Sequence, residues 1–361
     1  MNRPAIPELD TPALVIDVEA MERNLRRMAE WFAGRACTLR PHAKTHKCTE
    51  VARRQVKLGA MGITCAKLGE AEAMAAGGIE DILIANQVVG ATKLKRLAAL
   101  ARRAMLTVAI DNLANASEIA QAVRRVGAAV GVLLEVDTGM GRCGIPPDRV
   151  TVVRHAQELS RMPGLRFRGL MGYEGHAVLV DDPAERRAKA EAAGRTLLDC
   201  AAAVRGAGIE VEVVSGGGTG TYDFTGALDG FTEIQAGSYV FMDARYRRVR
   251  PEFETALFVA ATVVSRPTPD RVILDAGMKS VSHEFGLPIV VEPQGLQVVG
   301  LSEEHVKCVA AAGTCDLSVG DQVWLLPTHC CTTVNLHDRY WCVRDGKLEG
   351  TWAIEARGKS A

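Results

Sequence analysis

From about residue 37 to residue 240, short apolar runs alternate with amphipathic, Ala-rich stretches at helical period, the pattern of repeated βα units. Eight strand candidates begin near Cys37 (C-T-L-R-P), Gly62 (G-I-T-C-A), Asp81 (D-I-L-I-A), Leu106 (L-T-V-A-I-D), Val130 (V-G-V-L-L-E-V-D), Leu165 (L-R-F-R-G-L-M), Ile209 (I-E-V-E-V-V-S) and Phe231 (F-T-E-I-Q-A-G). Helical segments between them, such as Thr49 to Leu58, Leu68 to Ala76 and Pro183 to Arg205, are long enough to cross over a parallel sheet. Eight such units predict a closed (β/α)8 barrel of the TIM type. A doubly wound open sheet is the alternative. Against it, Lys44, Asp137, Arg142, Tyr173, His176, Ser215 and Ser238 all fall just after predicted strands, where a barrel gathers its active-site loops.

After about residue 250 the texture becomes β-rich, with F-V-A-A-T-V-V-S, R-V-I-L-D-A-G, Q-V-V-G-L, Q-V-W-L-L-P and R-Y-W-C-V-R separated by Gly, Pro and Asp turns. The division expected is an N-terminal strand and helix (1–30), a barrel (31–245) and a β-rich domain (246–361). The early strand A-L-V-I-D, Ala13 to Asp17, is a candidate to pair with that last domain. A length of 361 residues suits two domains.

Lys plus Arg and Asp plus Glu both number 43, so nothing in the charge calls for nucleic acid, a membrane surface or a polyanion. No apolar run approaches the roughly 20 residues of a bilayer span, and the start lacks a signal-peptide core. The expectation is a cytoplasmic protein with a small-molecule partner. Its ten cysteines have no C-x-x-C spacing and read as buried thiols rather than disulfides.

The segment R-P-H-A-K-T-H-K, Arg40 to Lys47, puts a lysine and two histidines at the mouth of the first strand. A lone lysine there is a solvated basic loop. A Schiff-base lysine, however, must lose its proton, and a partly desolvated barrel mouth with cations nearby favours that. The run S-G-G-G-T-G, Ser215 to Gly220, follows the seventh strand, and Q-A-G-S-Y, with Gly237, Ser238 and Tyr239, follows the eighth. Glycines there let backbone N–H groups approach a phosphate, and loops after strands seven and eight are the usual phosphate site of this barrel. Arg142, in D-T-G-M-G-R-C-G, is either a donor to an anionic ring oxygen or a surface cation in a loop. Tyr173, in M-G-Y-E-G-H, either packs on a flat ring or caps the barrel. In L-L-P-T-H-C-C-T-T-V-N-L-H-D, strand period two would put His329 and Cys331 on one face and Cys330 on the other. Imidazole plus thiolate would favour zinc with open positions, although adjacent cysteines are more often buried thiols.

Taken together, R-P-H-A-K-T-H-K, G-R-C-G, S-G-G-G-T-G, Q-A-G-S-Y-V-F-M-D, L-D-A-G-M-K-S and T-V-N-L-H-D resemble the D-threonine aldolase and D-serine dehydratase family, the metal-dependent branch of the alanine-racemase-like fold. The resemblance runs over nearly the whole chain. It implies a PLP-binding (β/α)8 barrel with a C-terminal β-rich domain, and a homodimer. It also implies that Lys44 holds pyridoxal 5'-phosphate as a Schiff base, Arg142 contacts the ring hydroxyl and Tyr173 lies beside the pyridine. Phosphate donors would come from Ser215, Gly217, Gly218 and Thr219 and from Gly237, Ser238 and Tyr239. His329 and Cys331 would bind one divalent metal, zinc before manganese or magnesium. Aldolases of this family usually carry an aspartate two residues after the histidine, and dehydratases a cysteine; this chain has Cys331, while its Q-A-G-S-Y and N-L-H-D runs are aldolase-like.

The reaction expected is metal-assisted retro-aldol cleavage of a D-3-hydroxy amino acid to glycine and an aldehyde, with elimination from D-serine or D-threo-3-hydroxyaspartate to a 2-oxo acid and ammonia as the alternative. A metal-free racemase would have no use for His329 and Cys331. A non-enzymatic cofactor carrier would need only the barrel.

Overall fold

The structure, a computed structural model, describes residues 6 and 8–361; the first residues of the expected N-terminal segment, 1–5 and 7, lie outside it. The chain folds as two units. The barrel unit comprises 28–44, 49–237 and 358–361; the β unit comprises the described residues up to Arg27, then 45–48 and 238–357. The chain opens with β1 (Ala13–Asp17) and α1 (Val18–Phe32).

Strand and helix then alternate through β2 (Thr38–Leu39), α2 (Thr49–Lys57), β3 (Ile63–Cys65), α3 (Leu68–Ala76), β4 (Asp81–Ile84), α4 (Ala91–Leu100), β5 (Met105–Ile110) and α5 (Leu113–Arg125). The alternation continues through β6 (Val130–Glu135), α6 (Arg149–Arg161), β7 (Leu165–Met171), α7 (Pro183–Gly206), β8 (Val213–Gly216), α8 (Tyr222–Thr225) and β9 (Glu233–Ile234). Short polar residues cap the starts of three helices: the side chains of Asn112, Asp148 and Asp182 accept backbone N–H groups from the first turns of α5, α6 and α7. Strands β2 to β9 form one parallel sheet in the order β2-β9-β8-β7-β6-β5-β4-β3. Its two edges meet: Met61 N–H donates to the Leu39 carbonyl (3.0 Å), Thr64 N–H to that of Pro41 (2.9 Å), and His42 bridges Thr64 in parallel. Leu83, Ala109, Leu133, Met171 and Val213, one from or beside each of five successive strands, pack as one apolar cluster.

The seam carries a buried ion network. Arg40, 1% exposed, donates Nε to Glu233 Oε2 (2.9 Å) and its two terminal nitrogens to Asp81 (2.8 and 3.2 Å). Glu233 opens β9 and Asp81 opens β4, so one side chain ties the first barrel strand to two others. Gly62 is bare because a Cβ there would stand 2.5 Å from the guanidinium and 2.5 Å from the Asp81 carbonyl.

In the β unit, β10 (Leu257–Thr268), β11 (Arg271–Leu274), β12 (Ile289–Glu292), β13 (Leu296–Leu301), β14 (Val306–Ala310), β15 (Gln322–Leu326), β16 (Arg339–Arg344) and β17 (Lys347–Ala353) surround β1. The main path runs β13-β14-β11-β10-β1-β16-β17, and β15 lies between β10 and β12. Strand β1 is antiparallel to β10 and parallel to β16, and every residue from Ala13 to Ile16 is buried. Two short helices, α9 (Tyr246–Val249) and α10 (Cys330–Val334), complete the unit. All ten cysteines are free thiols. Among the described residues no helix is long and apolar enough to cross a membrane.

Replacing Arg40 with Ala leaves Glu233 buried without its cation and should destabilise the fold by about 3–5 kcal/mol. Arg40→Lys should recover only part of this, because an ammonium cannot match two carboxylates with a planar fork. Denaturant unfolding of the three proteins measures the effect, and an Arg40→Ala curve overlying wild type would contradict it.

Candidate active site

Strand β2 ends where Pro41 interrupts it, and Ala43–Thr45 follow as one 3-10 turn carrying Lys44. The Lys44 N–H faces His42 Nδ1 at 3.4 Å, and its half-buried side chain places Nζ 5.8 Å from the centroid of the Tyr173 ring. Arg142 brings its guanidinium carbon to 5.5 Å from the same ring. The loop bearing Arg142 is tied by Asp137, whose carboxylate accepts the N–H groups of Gly139 (3.0 Å) and Gly141 (3.1 Å). Burial works against the Asp137 charge, but those backbone donors and nearby His176 outweigh it and lower its pKa. The barrel unit therefore gathers an amine, a guanidinium and a phenol ring at the C-terminal ends of its strands, the end where barrels carry chemistry.

The S-G-G-G-T-G run starts within the last two residues of β8 and continues past its end, and Ser215, Gly217, Gly218 and Thr219 are all buried. Much of its polar surface already has partners within the barrel unit. Ser215 Oγ accepts Gln235 Nε2 (2.8 Å), the Gly218 N–H goes to Thr221 Oγ1 (3.2 Å), and the Gly217 N–H goes to Glu174 (3.1 Å). A side chain at position 218 would meet Val178 at 3.1 Å and Tyr173 at 3.3 Å, so bare backbone lies beside the ring. Gly237 belongs to this unit, beyond the end of β9. An amine, a cation, an aromatic ring and a glycine loop pressed against that ring suit a flat aldehyde cofactor with a phosphate tail.

Ser238 and Tyr239 belong to the β unit, in a 3-10 turn whose Ser238 carbonyl accepts the Met242 N–H (2.8 Å). Tyr239 is buried there, its ring 5.9 Å from that of Phe253.

The histidine and cysteines of the same unit correct one expectation. Residues 330–334 form helix α10 with His329 as its N-cap, so the alternation expected of a strand does not apply. At a helix start, successive side chains fan out by roughly 100° rather than 180°. His329, Cys330 and Cys331 consequently bring their donor atoms within 4.8 Å of one another, and Cys330 is not turned away from the pair. What separates the two thiols is burial: Cys330 is fully buried and Cys331 only partly. Thr45 Oγ1 lies 3.3 Å from Cys331 Sγ.

Asp243, wholly buried, organises this cluster. One of its oxygens accepts the N–H groups of Arg245 (3.1 Å) and Tyr246 (2.8 Å); the other accepts the Cys330 N–H (3.1 Å) and faces His329 Nδ1 at 3.3 Å. Burial disfavours a charged imidazole, but Cys331 and Asp243 outweigh it and raise the His329 pKa to about 10. The hydrogen bond to Cys331, with burial, pushes the Cys330 thiol well above its ordinary value. With Nδ1 held by the carboxylate, Nε2 is the nitrogen that could take a metal, which would have to displace the proton the raised pKa keeps on the ring, and an imidazole with thiols suits a borderline-soft divalent ion such as zinc.

Glu174, Gln235 and Asp243 were not singled out from the sequence. Glu174 and Asp243 sit inside quoted motifs, G-Y-E-G-H and S-Y-V-F-M-D, but the distant groups they organise, Gly217 and Cys330, lie 43 and 87 residues away.

Comparison with known proteins gives the chain's family. The alanine racemase N-terminal domain family matches residues 16–245, and the putative serine dehydratase domain matches 256–343. A D-threonine aldolase from Arthrobacter sp. is 44% identical, covering 98% of this chain and 94% of that protein. The crystal structure of D-threonine aldolase from Filomicrobium marinum superposes with a TM-score of 0.95 at 40% identity, covering 98% of this chain and 97% of that one. The D-threo-3-hydroxyaspartate dehydratase of Delftia sp. HT23 gives 0.88 at 33% identity, with coverages of 96% and 98%, and a cysteine-to-alanine mutant of such a dehydratase is known in a metal-free form. Matched along its whole length by these enzymes, with the racemase-type barrel and dehydratase-type domain in the same order, the chain belongs to the D-threonine aldolase and D-serine dehydratase family of alanine-racemase-like folds.

Proposed function

We propose that the protein is a pyridoxal-phosphate-dependent lyase that cleaves D-3-hydroxy amino acids, D-threonine among them, to glycine and an aldehyde. The observation that carries this reading is full-length kinship that is closer to an aldolase than to a dehydratase. Cys331 favours elimination to a 2-oxo acid as the second reading.

Lys44 would hold the cofactor covalently, with Tyr173 beside the ring and Arg142 on its anionic oxygen; the loops at Ser215–Thr219 and Gly237–Tyr239 would take the phosphate. When bound, the cofactor would supply an electron sink for the bond broken at Cα, and a divalent metal would supply Lewis acidity for the substrate's 3-hydroxyl. His329 and Cys331 would hold that metal. Asp243 keeps the His329 ring oriented by holding Nδ1, and the exposure of Cys331 leaves an open side for a substrate oxygen, which fully buried Cys330 does not. A homodimer fits the family and the commonest closed symmetry.

Incubation with D-threonine should release glycine and acetaldehyde in equal amounts; 2-oxobutyrate and ammonia instead would establish the dehydratase. Lys44→Ala should lose both turnover and any borohydride-reducible cofactor linkage. Chelation should remove activity and leave the yellow colour of the bound cofactor, and bleaching on chelation would refute separate metal and cofactor attachment. Asp243→Ala should weaken metal affinity roughly 10- to 100-fold by equilibrium dialysis. Equal metal content in wild type and Cys331→Ala would remove Cys331 from the ligand set.

A further inference from the structure

We infer that Glu174 is a positioning residue: its buried carboxyl group sets the shape of the loop that receives the cofactor phosphate, an inference that rests on the function proposed above. Glu174 is 2% exposed and follows Tyr173 beyond the end of β7. Its Oε2 accepts the Gly217 N–H at 3.1 Å, while Oε1 accepts Thr221 Oγ1 at 2.8 Å and Thr225 Oγ1 at 2.5 Å. Thr221 in turn accepts the Gly218 N–H. A single carboxyl group thus ties Gly217 of the glycine run to the N-cap, Thr221, and the last residue, Thr225, of the single-turn helix after it. Gly217 sits at φ +72, a left-handed conformation that glycine adopts readily, and the Glu174 bond holds it there.

The neighbouring residue works on the same loop. The Tyr173 ring lies where a Cβ at Gly218 would meet it at 3.3 Å, and the same ring faces Lys44 and Arg142. Consecutive residues of one strand end therefore locate both the ring-facing group and the phosphate loop, so a shift of Glu174 would displace the phosphate relative to Lys44. Glu174 accepts one backbone N–H and two hydroxyls of the segment that begins with the glycine run, so its bonds act on that loop and the turn after it.

The test strips the full-length protein of its cofactor and compares its affinity for pyridoxal 5'-phosphate and for pyridoxal, which lacks the phosphate, by visible absorbance during equilibrium dialysis. Glu174→Ala should lower the ratio of the two affinities roughly tenfold, the scale of losing a buried hydrogen-bond partner. Glu174→Gln, which still presents an acceptor to Gly217, should restore most of it. If Glu174→Ala does not fold, Thr225→Val removes one of the three bonds and should lower the ratio by a smaller factor. Equal loss for both ligands, or none, would overturn the inference. Thr219→Val separates this from the underlying reading: a ratio sensitive to Thr219 but not to Glu174 overturns the role of Glu174 alone, whereas a ratio insensitive to both shows that the loop does not hold the phosphate.

Discussion

A buried guanidinium binds two carboxylates at the seam where the barrel closes, and the placement of Lys44 depends on that seam. Arg40 sits four residues before Lys44, between Glu233 and Asp81, and its strand contributes only two residues to the sheet ladder. So short a strand has few backbone bonds to set its register. The ion network supplies what the ladder lacks, since a one-residue slip would turn Arg40 from the carboxylates and leave Glu233 buried without its cation. Gly62 is part of the same arrangement, because it leaves the space the guanidinium fills.

Buried acids recur as organisers elsewhere. Glu174 gathers a backbone N–H and two hydroxyls in the barrel unit; Asp243 gathers backbone N–H groups and an imidazole in the β unit. A carboxyl group buried away from water must have its lone pairs satisfied, and loops near a strand end have spare N–H groups that need acceptors. Each acid answers both needs, and each thereby fixes a loop that has little regular structure of its own.

The His329 cluster shows how secondary structure controls donor geometry. On a strand, Cys330 would face away from its neighbours. At the start of α10 the angular step shrinks, all three donors converge, and the distinction between the thiols passes from direction to burial. Asp243 then selects among the histidine nitrogens by holding Nδ1.

Hydrophobic periodicity alone determined the eight strands, the helices between them and the change to β-rich texture near residue 250, because period and strand-end placement are local properties of the chain. The gathering of Lys44, Arg142 and Tyr173 was legible for the same reason: each follows a strand, and a parallel barrel puts all such positions at one end. Tertiary structure decided the rest. Whether residues 330–334 coil or extend, which acid meets Gly217, and which partner fills the space beside Gly62 depend on atoms far apart in sequence. A side chain commits to a hydrogen bond only when the folded backbone brings its partner within about 3 Å, a condition that no local pattern encodes.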